Sequence, residues 1–308
     1  MDLIGLQTFE MVARLGTIAR AAEALHCAPS NVTSRIKCLE HDLGVPLFHR
    51  HSRGMELAGD GKTLLPYARQ LVQLVTDART AIKGDGAIAG SIKIGAMETT
   101  AAFHLPSLMK AYREVLPNIQ IELTTGPTAS LVEDVLNYQL DGAFVAGPTG
   151  HPDLHEQLLA HEELVLVSAA KHGTVKQLFS AHPHPTLLVY RAGCQYRQRL
   201  EAFIYSRGIT GVRNVVLGTM EGIFGCVQSD FGISISTRAA VEDLATRYEI
   251  AVHSLGPSFS RINTVFVTSK LVRESKAISE FRKCLDSQYP NSHRVAPLEP
   301  ILRLKSTA

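Results

Sequence analysis

Cysteine is scarce in this 308-residue chain: five residues, at 27, 38, 194, 226 and 284, odd in number and forming no CxxC pair. That spacing supports neither a disulfide framework nor a zinc site. Charge is also sparse, at 19% of residues, and almost balanced, with 31 Lys/Arg against 29 Asp/Glu for a net +2. Bulk charge therefore identifies no nucleic-acid partner, and any basic surface must come from placement. No apolar run is long enough to span a bilayer. The start, MDLIGLQTFEMVARLG, has acidic residues in its apolar pattern and lacks the basic, then continuously apolar, layout of a secretory signal. The expectation is a soluble cytoplasmic protein with no membrane partner. The sequence shows no nucleotide-binding fingerprint, nucleophile–base constellation, paired carboxylates or metal motif. No catalytic or metal-ligating residue and no cofactor is expected. His182-Pro183-His184-Pro185 reads as a loop rather than a metal site.

What is present is 45% hydrophobic residues over a length suited to two or three domains. Leu3, Leu6, Phe9, Val12 and Ala13 recur at helical spacing. Gly16 ends that helix and Thr17 can cap a second, whose apolar face is Ile18, Ala19, Ala22 and Leu25. Pro29 suits the first turn of a third helix, although Ala28 makes a weak cap. Val32, Ile36, Leu39 and Leu43 share a predicted buried stripe. Pro29, Ser30, Asn31, Thr33, Ser34, Arg35 and Lys37 fall mainly elsewhere. Asn and Arg can read base edges, Ser and Thr can reach bases or phosphates, and Lys37 suits a backbone contact. Three short helices with a tight turn before the third form a helix-turn-helix pattern. Gly44 then closes the helix, Leu47 and Phe48 anchor the chain, and Arg50 and Arg53 lie in a short wing ending at Gly54. Glu40 is expected to be structural. Residues 1–60 carry six Arg/Lys and seven Asp/Glu, so this head is not basic in bulk.

These residues resemble the winged helix-turn-helix of LysR-type transcriptional regulators. The landmarks are Leu3, Phe9, Ala19, Ala22, Leu25, Ser30, Val32, Arg35-Ile36 and Leu39-Glu40. Leu43-Gly44-x-x-Leu47-Phe48-x-Arg50 and Gly61 complete the ordered set. One stretch departs from the family: Thr is usual before the Pro or Ala that precedes Gly61, but here the run is Leu57-Ala58-Gly59-Asp60-Gly61. Ala58 lacks the expected cap, and Gly59 loosens the helix start.

The span 61–83 is predicted to be one long helix, with Leu64, Leu65, Ala68, Leu71, Val72, Val75, Ala78 and Ile82 on its apolar positions. Its surplus length asks for a partner helix. The resemblance implies antiparallel pairing of this linker across a homodimer and assembly into a homotetramer on double-stranded promoter DNA. Residues 84–90, with three glycines in seven, read as a hinge.

From residue 91 apolar strands alternate with helices, the pattern of a covered parallel sheet. The strands read as 91–96, 119–123, 141–147, 164–167, 187–190, 215–217, 233–236 and 262–267. The resemblance implies two Rossmann-like α/β subdomains around a cleft, like a periplasmic solute-binding protein. The first covers 91–163 and 266–295, the second 164–265, and 296–308 form a tail. Ligands of such folds sit at strand ends and helix N-termini. Three segments fit: 97-METT-100, 124-TTGPTAS-130 and 193-GCQYRQR-199. Met97, Thr99, Thr100, Thr125, Gly126 and Ala146 are the candidate effector contacts from the first subdomain. Cys194, Arg197, Thr219 and Met220 are those from the second. Arg197 is the candidate for a ligand carboxylate. Nearby arginines could lower the pKa of Cys194, leaving it either a ligand contact or a thiol sensor.

The expected function is a sequence-specific, ligand-responsive regulator sensing a small organic acid with an apolar part. By family analogy it activates a neighbouring operon, represses its own gene and contacts RNA polymerase. A solute-binding protein would explain residues 91–295 but not the reader. An enzyme using Cys194 has no supporting base.

Overall fold

The structure is a computed structural model and describes residues 1–51, 54–82, 90–271 and 274–290. Arg53, the expected hinge up to residue 89 and the tail from 296 lie outside the described residues. The chain divides into two compact units, meeting in sequence between residues 89 and 90.

The first unit comprises α1 (Leu3–Leu15), α2 (Ile18–Ala24), α3 (Pro29–Leu43), β1 (Phe48–His51), β2 (Gly54–Leu57) and α4 (Gly59–Ile82). Each boundary has a chemical cause. The Asp2 carboxylate accepts from the Gly5 N–H at 2.6 Å and caps α1. Thr17 accepts from Arg20 N–H at the start of α2. No side chain caps α3, where Pro29 occupies the first turn. Leu6, Phe9 and Val12 of α1, Ala21 and Ala22 of α2, and Val32, Ile36 and Leu39 of α3 form one core with Leu47, Phe48 and Ala68. Leu43, expected on that stripe, is 37% exposed. It is the last residue of α3, one turn beyond Leu39, and lies past the edge of the core.

The turn into the wing is held by Glu40, whose Oε1 accepts from the N–H groups of Leu47 and Phe48 at 2.8 and 3.3 Å. The departure at 57–61 also gains a reason. Ala58 N–H donates to the Leu47 carbonyl, and a Cβ on Gly61 would stand 2.1 Å from the same oxygen. Gly61 is needed because the first turn of α4 lies on that carbonyl.

The second unit begins with β3 (Gly90–Ala96), α5 (Glu98–Phe103), α6 (Leu105–Val115), β4 (Ile119–Thr125), α7 (Thr128–Leu136) and β5 (Gly142–Gly147). It continues through β6 (Leu154–Ala169), α8 (Val175–Ala181), β7 (Thr186–Val189), α9 (Gln195–Ser206), β8 (Arg213–Val216) and α10 (Met220–Gln228). It ends with β9 (Ser234–Thr237), α11 (Arg238–Leu244), β10 (Ile250–Ser254), α12 (Pro257–Ser260), β11 (Arg261–Ser269) and α13 (Lys276–Gln288).

Two α/β lobes result, as the resemblance implies. In the first, β4, β3 and β5 are parallel, and antiparallel β11 joins β5 to β6. Phe144, Phe266, Phe281 and Tyr112 stack in its core, with Tyr112 donating to the Ala277 carbonyl. In the second lobe the later half of β6 runs antiparallel to both β9 and β10. β7 pairs with β8 and meets the start of β9 through Leu187 and Ile233.

Leu164–Val167, predicted as a strand, belongs to the later part of β6, which starts ten residues earlier at Leu154. The earlier part, LHEQLLAHEE, mixes buried leucines with accessible charged and polar residues in no regular period, so it lacks the continuous apolar signature. The chain re-enters the first sheet at Arg261, whereas the family resemblance implies a return at 266.

Candidate functional site

In the second unit, the loops after β3, β4, β7 and β8 enclose a cavity of about 190 Å³. These are the carboxyl ends of parallel strands, where α/β folds leave room for ligands. Met97, Glu98 and Thr99 come from the first loop, and Thr125–Thr128 from the second. Tyr190, Arg191, Cys194 and Tyr196 come from the third, Leu217 and Gly218 from the fourth.

Two contacts join the lobes across this cavity. The Thr99 and Tyr196 hydroxyls are 3.0 Å apart and buried. Ala129 N–H donates to the Gly193 carbonyl at 3.4 Å. Gly193 has φ +87°, and a Cβ there would stand 2.9 Å from that of Ala129. A side chain at 193 would therefore be strained and would wedge the lobes apart.

The titratable groups are tuned mainly by burial. Burial raises the Tyr190 phenol, and the neighbouring Cys194 and Glu98 add to it. Burial raises Tyr196 as well, opposed by its bond to Thr99. Both remain neutral hydroxyls able to donate. The expected lowering of the Cys194 pKa is reversed: burial pushes the thiol up and outweighs the backbone N–H groups of Arg197 and Tyr196 and the Arg197 charge. A protonated buried thiol is a poor nucleophile.

The candidates divide. Met97, Thr99, Thr125, Gly126 and Cys194 line the cavity. Thr100 is buried, does not line it, and its hydroxyl has no partner. Ala146 sits behind the wall, its N–H donating to Thr128 Oγ1, which in turn donates to the Met97 sulfur. Arg197 is turned along its own helix, donating to Glu201 Oε1 at 2.8 Å. Thr219 caps α10 by accepting from Gly222 N–H. Met220 is buried among Leu188, Ile223 and Phe224 rather than facing the cavity. Arg191 is the arginine that reaches the cavity. It directly follows Tyr190 at the end of β7, so the strand-end rule applied two residues earlier finds both. Glu98 and Tyr196 lay inside the segments singled out, but a helical period reads them only as helix residues.

In the first unit, Pro29, Ser30, Asn31, Ser34 and Lys37 of α3 are exposed, and Thr33 and Arg35 are half-buried. Thr33 donates its hydroxyl to the Pro29 carbonyl. Arg50 is exposed on β1. These side chains stand on the accessible side of a helix whose opposite stripe is pinned by Val32, Ile36 and Leu39.

A three-helix head with a wing and a two-lobed unit with a strand-end cavity together define a DNA-binding sensor class. The chain belongs to the LysR family of transcriptional regulators. Residues 3–62 match the bacterial regulatory helix-turn-helix protein, lysR family, and residues 85–290 match the LysR substrate binding domain. Among its relatives is the HTH-type transcriptional regulator GltR of Bacillus subtilis, 37% identical over 91% of this chain and 95% of that protein. The uncharacterized HTH-type regulator YusT of the same organism is 40% identical over 94% and 96%. The fold is shared with full-length OxyR from Pseudomonas aeruginosa, at TM-score 0.74, 20% identity and coverage of 96% and 99%. Full-length CbnR with its target DNA matches at TM-score 0.61, 23% identity and coverage of 93% and 99%. The protein is thus a ligand-responsive DNA-binding regulator rather than an enzyme, and self-association comes with the family. Among the described residues no helix is long and apolar enough to cross a membrane.

Proposed function

We propose that the protein senses a small organic carboxylate in the cavity at the lobe boundary and thereby controls promoter DNA held by α3 and the wing. The observation that carries this reading is Arg191, a cation on a wall that also presents Met97, Leu217, two tyrosines and threonine hydroxyls. Glu98 adds an anionic group to the same wall, so a ligand with a carboxylate at one end and a donor or cation at the other matches both. Ser30, Asn31, Thr33, Ser34 and Arg35 read base edges, and Lys37 and Arg50 hold phosphates. Arg53, in the same wing, is assigned to the phosphate backbone by its place in the sequence.

Tyr67, Leu71 and Leu74 stand exposed at spacings of four and three along α4. This supports a homodimer built through the linker helix, and a homotetramer on a promoter with two half-sites. The regulator activates a neighbouring operon, with contact to RNA polymerase, and represses its own gene. Footprinting the full-length protein on DNA upstream of its gene tests this reading, with and without small amino and organic acids that raise its melting temperature. Protection that shifts with such an acid is expected; absence of any protected site overturns it.

A further inference from the structure

In the second lobe, on segments that flank the cavity residues in sequence, three potential metal ligands converge. His172 lies in the loop after β6, His182 is the residue that ends α8, and Asp230 lies in the turn between α10 and β9. Asp230 Oδ1 is 2.7 Å from His172 Nε2 and 3.3 Å from His182 Nε2. The two imidazole rings meet edge to face at 5.1 Å. All three ligand atoms lie within 4.8 Å of one another, and none of the three residues lines the effector cavity.

We propose that His172, His182 and Asp230 form a binding site for one divalent transition-metal ion of the zinc, cobalt or nickel kind. The chemistry of the donors selects the ion: two imidazole nitrogens and one carboxylate suit borderline metals, whereas calcium and magnesium demand mostly oxygen. The geometry is close to what such an ion requires. With bonds of about 2.0–2.2 Å in a tetrahedron, neighbouring ligand atoms stand about 3.3 Å apart. The His182–Asp230 edge already has that length, and the His172–Asp230 edge needs to open by only about 0.6 Å. Coordination replaces the hydrogen bonds that now hold these groups together.

The surroundings fit as well. Lys171 holds the other carboxylate oxygen, Oδ2, at 2.7 Å and so orients Oδ1 toward the histidines, as an outer-shell partner does. His172 is nearly buried, while His182 and Asp230 are part-exposed. A shallow hollow lined by His182, His184 and Asp230 opens beside them and leaves the fourth position to water or a further ligand. His184 is otherwise engaged, its Nδ1 lying 2.6 Å from the Thr210 carbonyl oxygen. The ligands come from three separate segments, so the ion would fasten the loop after β6, the end of α8 and the turn before β9 together.

The test uses full-length protein stripped with a chelator, refilled with zinc in equilibrium dialysis, and with cobalt while its visible absorbance is followed. The wild type is expected to take up one more zinc per chain than His182→Ala or Asp230→Asn, and to develop a cobalt spectrum that both variants lack. Asp230 has φ +58°, a conformation that Asn also tolerates, so Asp230→Asn keeps the turn. His184→Ala should bind as the wild type does. Equal uptake by wild type and both variants, no uptake from micromolar zinc, or loss of binding in His184→Ala alone would each overturn the assignment.

Discussion

The hydroxyls of Thr99 and Tyr196 meet at 3.0 Å across the boundary between the two lobes, from residues 97 apart in sequence. One belongs to the first turn of α5 and the other to the first turn of α9. A buried pair of this kind contributes about 1 kcal/mol net, and either partner left alone carries the cost of an unsatisfied group. Thr99→Val and Tyr196→Phe should each lower stability by about 1 kcal/mol. The double variant should lose much less than the sum. Urea unfolding of the full chain, arranged as a double-mutant cycle, checks this; strict additivity would show that the hydroxyls do not depend on each other.

Arg191 and Arg197 should behave differently although they are six residues apart. Arg191 lines the cavity, whereas Arg197 is occupied by Glu201 at 2.8 Å. Arg191→Gln should reduce the thermal shift given by any stabilising acid at least tenfold in effective concentration, by roughly the 1.5–3 kcal/mol of a charged hydrogen bond. Arg197→Gln should leave it within a factor of about two, as expected for a part-exposed i,i+4 pair that does not face the cavity. The reverse order would move the carboxylate site to α9.

On α3, Lys37→Ala should weaken DNA binding about equally at matched and scrambled sites and lower the salt-dependence slope by about one. Arg35→Ala should cost about 1–3 kcal/mol and relax preference at one base position. Fluorescence anisotropy at several salt concentrations separates the two. If Arg35→Ala weakens all sequences alike, Arg35 is a phosphate contact.

Gly61→Ala should destabilise the head by about 1–3 kcal/mol, because the added methyl would meet the Leu47 carbonyl at 2.1 Å. Gly59→Ala has open space around it and sits at the helix start, so it should be neutral or stabilising by up to about 1 kcal/mol. The thermal midpoints of the two variants, compared side by side, decide whether the Leu47 contact matters.

Cysteine accessibility gives a fifth test. Cys38 is exposed on α3, next to Lys37, whereas Cys194 is buried with its pKa raised by that burial. A raised pKa leaves little thiolate at pH 8, and the fraction grows only as pH rises further. Iodoacetamide should therefore label Cys38 first, bound DNA should protect it, and Cys194 should lag until more alkaline pH. Rapid labelling of Cys194 at neutral pH would restore a thiol-sensing role. Mass spectrometry after partial labelling reads out all three outcomes.

The head was the more legible half of the chain. Val32, Ile36 and Leu39 announce their helix by spacing, and the turn residues around it carry local signals. Leu43 misleads because periodicity continues past the point where the core ends, and one helix cannot reveal where its neighbours stop. In the second unit, the strands buried on both faces are readable as apolar runs. The first part of β6 is not, because its irregular mixture of charged and apolar residues also describes a loop. The cavity was legible to its loops but only in part to its side chains: Met97, Thr99, Thr125, Gly126 and Cys194 line it, whereas Thr100, Ala146, Arg197, Thr219 and Met220 do not. Thr100 and Thr99 are adjacent, yet a helix turn sends them to different surroundings. Arg197 looks like a ligand contact until Glu201 is seen to hold it. The His172, His182 and Asp230 cluster leaves only the His182-Pro183-His184-Pro185 run as a local sign, and that run reads as a loop, since the three members come from separate segments: the loop after β6, the end of α8 and the turn after α10.

β6 belongs to both lobes. Its first ten residues pair with β11, apart from a bulge at Leu159, and its last six with β9 and β10, all within one strand. Swinging the lobes wide apart would require tearing rungs from a hydrogen-bonded ladder, each costly to leave unmade. The easier distortion is torsion, since strands twist readily about their own axes. A molecule entering between the lobes therefore acts less like a hand closing a clam shell than like a key turning a stiff rod. The motion available to the regulator is a small rotation of one end of β6 against the other.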